Sequence, residues 1–136
     1  MEHFFLMSCT KEEAALCTQR LARFGLALCP RQMEALQAGR AAALRSTGRV
    51  ELGSGILPQL IDAFCDSPWF TQENLTEELL TLQEIFYHWK NEAGDCVPDD
   101  ELLTFLRRVY EEKAHGAAEY LAGFTLQELK GEMPDE

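Results

Sequence analysis

The chain has 136 residues, 46% of them hydrophobic, which suits one globular domain large enough to bury a core. Its formal net charge is −11, because 23 acidic residues outnumber 12 basic ones. This excess of negative charge disfavours binding to nucleic acid or to an anionic membrane surface. No apolar stretch approaches membrane-spanning length, so we expect neither nucleic acid nor a membrane as a partner.

The cysteines and the N-terminus predict where the protein works. Five cysteines, an odd number without a C-x-x-C pair, indicate neither a disulfide framework nor a zinc ribbon. The apolar run at residues 4–7 is short and has no basic flank, so it is not typical of a secretory signal. We therefore expect a cytoplasmic protein with reduced thiols.

Two helices are predicted before residue 49. Thr10 followed by Glu13 is a capping-box pattern that predicts the start of the first helix, which Gly25 would end. Pro30 suits the first position of a second helix, and Gly48 suits its left-handed end. The apolar side of this second helix includes an arginine: Met33, Leu36, Arg40, Ala43 and Leu44.

The stretch from Thr47 to Trp69 departs most from a repetition of amphipathic helices. Gly53-Ser54-Gly55 frees the backbone for a sharp turn, and Ser54 can cap the helix that follows. Pro58 falls early enough in that helix to be tolerated, and Pro68 ends it because the residue before a proline avoids the helical region. The apolar face predicts the central, most buried helix: Leu57, Leu60, Ile61 and Phe64.

A long fourth helix is predicted from a cap at Thr71 to a stop near Gly94. A fifth helix would follow Pro98, because the acidic residues 99–101 complement the positive end of a helix. The fourth helix has the clearest apolar stripe: Leu75, Leu79, Leu82, Phe86, Trp89 and Ala93.

The last predicted helix is interrupted by Gly123 and restarted briefly by Thr125 with Glu128, before a polar tail at residues 131–136. No run of alternating residues is long enough for a sheet. The sequence therefore predicts an all-α fold over residues 1–130, a single compact, bundle-like domain of five to six helices with one glycine-rich turn segment.

One row of side chains invites a metal-binding interpretation. Glu84, His88 and Glu92 recur every four residues on the fourth helix, so they line one face and could share a metal ion. At about 100° per residue, however, the row points away from the apolar stripe and into solvent. Exposed acid–histidine rows usually support the helix as pairs, so we predict no metal site and keep these three residues as the candidate ligands.

Cys65 beside Asp66 is the candidate nucleophile, with His88 or His115 as the base that would lower its pKa. The spacing carries no catalytic signature. A cysteine near the end of an apolar helix more often packs as a small hydrophobe. A small enzyme or ligand-binding domain that uses Cys65, His88 and nearby carboxylates is therefore the alternative to a binding domain.

Gly53-Ser54-Gly55 before a helix suggests a phosphate loop, because the amides at a helix start attract anions. The segment lacks the lysine and the glycine spacing of a nucleotide-binding loop, and Glu51 and Asp62 would repel a phosphate. Ordinary turn chemistry explains these glycines, so we expect no cofactor.

Arg40 lies in the middle of an apolar stripe. A buried arginine without a carboxylate would cost several kcal/mol, on the order of the figures for broken buried pairs. We predict that Arg40 pairs with Glu51, Asp62 or Asp66 and acts as a structural clamp that fixes the turn segment to the second helix. A charge extended into solvent is the alternative.

Aromatic residues with polar tips are frequent in interfaces. Phe86 and Trp89 belong to the predicted core, whereas Tyr87 leaves the apolar stripe with its hydroxyl toward water. Tyr87 and Trp69 are therefore the candidate contact patch.

Four strings, in their order and separations, resemble an uncharacterised family of small, all-helical bacterial proteins, a domain of unknown function: T-G-R-V-E-L-G-S-G-I, A-F-C-D-S-P-W, F-Y-H-W-K-N-E and P-D-D-E-L-L. The resemblance covers nearly the whole chain, most specifically residues 47–103. It implies a bacterial, cytoplasmic, self-contained domain. It implies no activity, cofactor or site residue.

The function is unknown from the sequence, and two classes stay open. A non-enzymatic protein-interaction or adaptor domain is favoured. The polar residues are explained as helix caps, turn residues and solvent-exposed faces, and the sequence does not group them as catalytic residues would be grouped. It would bind another protein, or a second copy of itself as a homodimer. The enzyme or ligand-binding alternative requires a concave pocket near Cys65 and His88.

Overall fold

The computed structural model describes residues 2–51 and 55–132, and within them the side chains of residues 11–51 and 55–131. This part of the chain is all-α, as predicted, with seven helices and no strand. None of these helices has the length and apolar character needed to cross a membrane. In chain order they are α1 (Glu2–Ala22), α2 (Pro30–Thr47), α3 (Leu57–Phe64), α4 (Leu75–Glu92), α5 (Asp99–Glu112), α6 (Ala118–Leu121) and α7 (Leu126–Glu132).

The first helix, α1, begins at Glu2, so the predicted start at Thr10 is wrong. Thr10 lies inside the helix, and the carboxylate of Glu13 is used elsewhere. It accepts hydrogen bonds from the Gly55 N–H at 3.2 Å and from the Gln37 side-chain amide at 3.4 Å. The Thr-x-x-Glu pattern considers only neighbouring residues. The prediction failed because Glu13 forms its hydrogen bonds with residues that are distant in the sequence.

The predicted limits of α2 are confirmed. Pro30 occupies its first turn, where the missing N–H costs no hydrogen bond, and the Gln32 side chain accepts a hydrogen bond from the Cys29 N–H at 2.9 Å. Gly48 follows the helix with φ of 69°, a left-handed conformation that glycine adopts without strain. These two ends set the position of Arg40 within the protein.

The short helix α3 is largely buried, as predicted, but the prediction that it is the central helix is not supported, because α4 contacts more helices. Helix α3 packs against α1, α4 and α5, and Pro58 lies in its first turn. The predicted Ser54 cap and the glycine turn at residues 53–54 lie outside the described residues. Five of the eight residues of α3 are buried: Leu57, Pro58, Leu60, Ile61 and Phe64.

The helix with the widest set of neighbours is α4, which contacts α2, α3, α5 and α6. It begins at Leu75 rather than at the predicted Thr71. Thr71 and Asn74 instead close the preceding turn: the Thr71 N–H donates to Asn74 Oδ1 at 2.9 Å, and the Asn74 N–H donates to Thr71 Oγ1 at 3.3 Å. The other end is as predicted, since α4 stops at Glu92 and Gly94 follows with φ of 62°.

The next helix, α5, begins at Asp99, directly after Pro98, as predicted. The acidic residues of its first turn complement the positive end of the helix. Lys90 on α4 pairs with Asp99 at 2.5 Å, which ties the start of α5 to the end of α4.

The C-terminal part forms two short helices, which raises the number of described helices above the predicted five to six. Residues 122–125 separate α6 from α7. The predicted restart at Thr125 and Glu128 is confirmed: the Thr125 N–H donates to Glu128 Oε1 at 2.8 Å, and the Glu128 N–H donates to Thr125 Oγ1 at 3.1 Å. This reciprocal pair fixes the direction in which α7 leaves the turn.

An aromatic cluster joins α3, α5 and the loop before α4. The Tyr110 ring meets the Phe64 ring edge-on at 5.2 Å between centroids, and the Trp69 ring meets Tyr110 edge-on at 6.2 Å. Trp69 also covers Gly116, where an added Cβ would lie 2.0 Å from Trp69 Cγ. Only a residue without a side chain fits at this position.

Gly116→Ala is expected to lower the free energy of unfolding by about 2–4 kcal/mol. The change puts an alanine at φ of 84° and forces the Trp69 ring to move. Urea denaturation followed by far-UV circular dichroism measures the loss. Gly94→Ala is the matched control, because Gly94 also has a positive φ of 62° but no neighbour within 4 Å of the added Cβ. Gly94→Ala is expected to lower the free energy of unfolding by only about 1 kcal/mol. Equal decreases in the two variants would contradict the contact between Trp69 and Gly116.

Candidate functional site

A buried polar cluster, formed by Glu13, Arg40, Glu51 and Tyr87, surrounds the chain just before α3. Its members come from α1, from α2, from the segment after α2 and from α4. Glu13 and Tyr87 are each 1% exposed, and Arg40 is 9% exposed. Charged groups this deep require partners, so their contacts show what the cluster does.

The cluster holds the backbone at Gly55 and Ile56. Arg40 Nε donates to Glu51 Oε1 at 2.9 Å, and the Tyr87 hydroxyl donates to the same oxygen at 2.5 Å. The Tyr87 oxygen in turn accepts a hydrogen bond from the Ile56 N–H at 3.3 Å, and Glu13 accepts one from the Gly55 N–H. Two backbone donors at the entry to α3 are thereby satisfied by side chains from α1 and α4.

Gly55 is the point where the backbone passes closest to these side chains. An added Cβ would lie 2.6 Å from Arg40 Nε, 2.7 Å from Arg40 Cδ and 3.1 Å from Glu13 Oε2. The position therefore requires glycine for close approach, whatever the conformation of the turn before it.

Burial and charge set the protonation of the cluster. Burial raises the pKa of the Glu13 carboxyl, although the charge of Arg40 acts in the opposite direction. Burial and the hydrogen bond to Glu51 raise the pKa of the Tyr87 hydroxyl above its usual range. Tyr87 is therefore a neutral hydrogen-bond donor, and Arg40 is the cation that pairs with Glu51, with Glu13 nearby.

The structure sorts the three carboxylates proposed for Arg40. Glu51 contacts Arg40, whereas Asp62 pairs with Arg20 at 2.9 Å and Asp66 pairs with Arg107 at 2.7 Å. Asp62 on α3 and Asp66 just after it therefore pair with other arginines. That the Arg40 pair acts as a clamp stays a prediction, tested below.

The predicted contact patch of Tyr87 and Trp69 does not form. Tyr87 is buried because its hydroxyl meets Glu51 and the Ile56 N–H instead of water. Trp69 is 38% exposed and rests on Tyr110 and Gly116. The two aromatic residues therefore belong to two different parts of the molecule.

A cleft of about 390 Å³ lies between α4 and the segment that joins α6 to α7, and we call it the α4–α7 cleft. Its floor is apolar and its rim is polar. The Glu84–His88–Glu92 row forms the α4 side of this cleft. The complete lining is Glu84, Ile85, His88, Trp89, Glu92, Ala122, Phe124 and Thr125.

Glu92 attaches α7 to α4. Its Oε1 accepts a hydrogen bond from the Leu126 N–H at 3.0 Å, and its Oε2 accepts one from the Gln127 N–H at 2.9 Å. Both oxygens of this carboxylate thus serve the first turn of α7, a favourable position for negative charge. Within the part of the chain that the structure describes, no group of three acidic, histidine or cysteine side chains is arranged to hold a metal ion.

Aromatic residues lie in and beside the cleft. The Trp89 indole N–H donates to the Phe124 carbonyl at 3.4 Å, which fixes the 122–125 segment over α4. The ring of Tyr120, 48% exposed, packs against the Phe124 ring at 5.2 Å between centroids. The sequence reasoning missed the cleft and Tyr120 because it placed the row in open solvent, and only the Gly123 interruption signalled that the chain turns back.

Cys65 does not line the cleft that contains His88. Burial, and then the charges of Asp66 and Asp62, raise the pKa of the Cys65 thiol to about 12. At neutral pH this sulfur is a protonated thiol rather than a nucleophilic thiolate. Neither the lining of this cleft nor the protonated thiol therefore supports the predicted Cys65 and His88 pair.

A family model described as a family of unknown function, DUF6323, matches residues 13–135. The match covers most of the chain, so the chain belongs to this family, and the resemblance to a domain of unknown function is confirmed. No curated protein and no solved structure gives a significant match.

Arg40→Met is expected to lower the free energy of unfolding by about 3 kcal/mol, because Glu13 and Glu51 lose their cation. Urea denaturation followed by circular dichroism measures the change. Arg49→Met is the matched control, since it removes an ion pair with the more exposed Asp95, and it is expected to alter stability little. Equal losses in the two variants would contradict the clamp.

Glu13→Gln is expected to remove a dependence of stability on pH. Because the pKa of Glu13 is raised by folding, the folded state keeps a proton at pH values where the unfolded state has released it. The wild type therefore loses stability as the pH rises above the ordinary pKa of glutamate, by about 1.4 kcal/mol for each pH unit over which that difference persists. Glutamine keeps the oxygen that accepts from Gly55 and does not titrate.

The measurement is a series of urea denaturations from about pH 4 to about pH 8. The stability of Glu13→Gln relative to the wild type is expected to rise across this series. Glu34→Gln, an exposed change on α2, is the control and is expected to show no such trend. A difference in free energy of unfolding between Glu13→Gln and the wild type that does not change with pH would contradict this prediction. It would mean that the Glu13 carboxyl has the same pKa in the folded and the unfolded state.

Proposed function

We propose that this member of the DUF6323 family is a non-enzymatic protein-interaction domain that binds its partner in the α4–α7 cleft. The observation that supports the proposal is a concave site whose floor consists of the buried Ile85 and Trp89 and the half-buried Phe124, next to the exposed Tyr120 ring. A cleft lined by apolar and aromatic side chains with a few polar groups is typical of a binding site. Tyrosine and tryptophan are enriched in protein interfaces.

The walls of the cleft are held before any partner arrives. Glu92 binds the first turn of α7, and Trp89 binds the Phe124 carbonyl, so both sides are fixed to α4. A preformed site loses little conformational entropy on binding, which favours affinity. Association by insertion of a partner side chain fits this geometry better than a rearrangement of the domain.

We place this interaction in the bacterial cytoplasm, with another protein rather than nucleic acid or a membrane as the partner. The charge of −11 supports the choice of partner. The cysteines whose side chains the structure describes are free thiols, which supports a reducing compartment. A second copy of the chain is one form that the partner could take, and the experiment below distinguishes it.

A small-molecule ligand is the second candidate. The cleft volume of about 390 Å³ falls within the range of small-molecule sites, about 300–1,000 Å³. Glu84, His88 and Thr125 would supply the polar contacts that orient such a ligand. This candidate needs no contribution from Cys65.

Photo-crosslinking in the native cell tests the interaction. Tyr120→benzoylphenylalanine places the crosslinker beside the cleft, and Ala41→benzoylphenylalanine places it on the exposed side of α2 as the matched control. One protein, another or a second copy of the chain, is expected to be captured from position 120 and not from position 41. The purified partner should then bind the wild-type domain directly, as measured by calorimetry.

Equal capture from both positions, or no direct binding by the captured protein, would contradict the proposal. Native mass spectrometry of the protein purified from its own cell separates the second candidate. A retained small molecule that Phe124→Asp removes would favour ligand binding over protein interaction.

A further inference from the structure

We propose that the α4–α7 cleft recognises a cationic segment of its partner, a lysine or arginine side chain flanked by apolar residues. This inference rests on the proposed function and adds the chemistry of the partner. It follows from the charge of the rim and from the apolar floor.

The rim is negative where other surface grooves are mixed. Among the described residues that line the cleft are two carboxylates, Glu84 and Glu92, and no lysine or arginine. Of the other two grooves described on this surface, the one between α3 and α5 has Arg107 in its lining, and the one along the start of α5 has Arg108. The α4–α7 cleft therefore differs from both in pairing apolar surface with negative charge alone.

The geometry suits a chain segment that lies along α4. Glu84 and Glu92 are separated by about 12 Å along the helix axis, from a rise of about 1.5 Å per residue. The cleft that these carboxylates line also contains the side chains of Trp89 and Phe124. A cationic head near Glu84 can keep its charge partly in water while its methylene stem covers the apolar floor. A cation near aromatic rings gains further attraction.

The test must distinguish binding in the cleft from attraction to the net negative charge of the whole chain. A protein of charge −11 attracts any cationic peptide over long range. Glu84→Lys changes that total by two charges inside the cleft. Glu34→Lys changes it by the same amount on the exposed face of α2, so the two variants separate a local contact from a general field.

The experiment begins with a random dodecapeptide display library selected on the immobilised full-length protein. Enriched peptides are expected to carry lysine or arginine next to apolar residues. The strongest is synthesised and titrated into isotope-labelled protein, where the amide signals of residues 122–125 are expected to shift. Glu84→Lys is expected to weaken this binding about tenfold, because it reverses a charge in the lining of the cleft. Glu34→Lys is expected to weaken it less than about twofold, because the charge changes outside the lining, on the exposed face of α2, where salt screens it.

Each outcome decides between the two proposals. Neutral or acidic peptides that shift the amides of residues 122–125 would overturn the cationic partner and leave the protein-interaction function standing. Cationic peptides that both charge reversals weaken equally would overturn the cleft as their binding site. Enrichment no greater than on a surface without protein would overturn both the inference and the proposed function.

Discussion

The burial of Arg40 beside Glu51, with Glu13 nearby, is the constraint on which the rest of the structure depends. An arginine this deep is tolerable only when acidic side chains and hydrogen bonds surround it. Glu51 supplies the ion pair, Tyr87 shares its oxygen, and Glu13 binds the neighbouring backbone. These groups come from parts of the chain far apart in sequence. The role predicted for the Arg40 pair is therefore to hold α1, α2 and α4 around the entry to α3.

Helix α4 connects this cluster with the proposed binding surface. Tyr87 and His88 are consecutive residues, yet the first is buried against Glu51 and the second lines the α4–α7 cleft. The hydrogen bond from the Gln83 amide to the Leu36 carbonyl, at 3.0 Å, further fixes the buried side of α4 against α2. The cleft is therefore built on a helix whose opposite face cannot shift without breaking buried polar contacts.

Much of the fold follows from patterns that are local in the sequence. The limits of α2, the buried face of α3 and the start of α5 depend on proline, glycine and apolar spacing within a few residues, and all three were predictable. Thr10 and Glu13 show the limit of this reasoning. Their spacing matches a capping box, but the Glu13 carboxylate accepts a hydrogen bond from the Gly55 N–H and does not cap a helix.

The candidate site was predictable only in part. Helical spacing places Glu84, His88 and Glu92 on one face, and they do share one side of a cleft. That the segment at residues 122–125 returns to cover this row depends on a contact between α4 and the C-terminal helices, which no local pattern encodes. The prediction that Tyr87 is exposed failed for the same reason. Its hydroxyl bonds to Glu51, a residue 36 positions away in the sequence.

Glu92 has a consequence for how the C-terminus responds to an occupied cleft. Its two oxygens are shared between the rim and the backbone of α7, so a cation that draws on this carboxylate competes with the Leu126 and Gln127 N–H groups. Binding of a cation in the cleft and detachment of α7 from Glu92 are then linked equilibria. If binding favours detachment by some factor, detachment favours binding by the same factor. If a cation binds in the cleft as proposed, the hydrogen-exchange rates of the α7 amides would change with it.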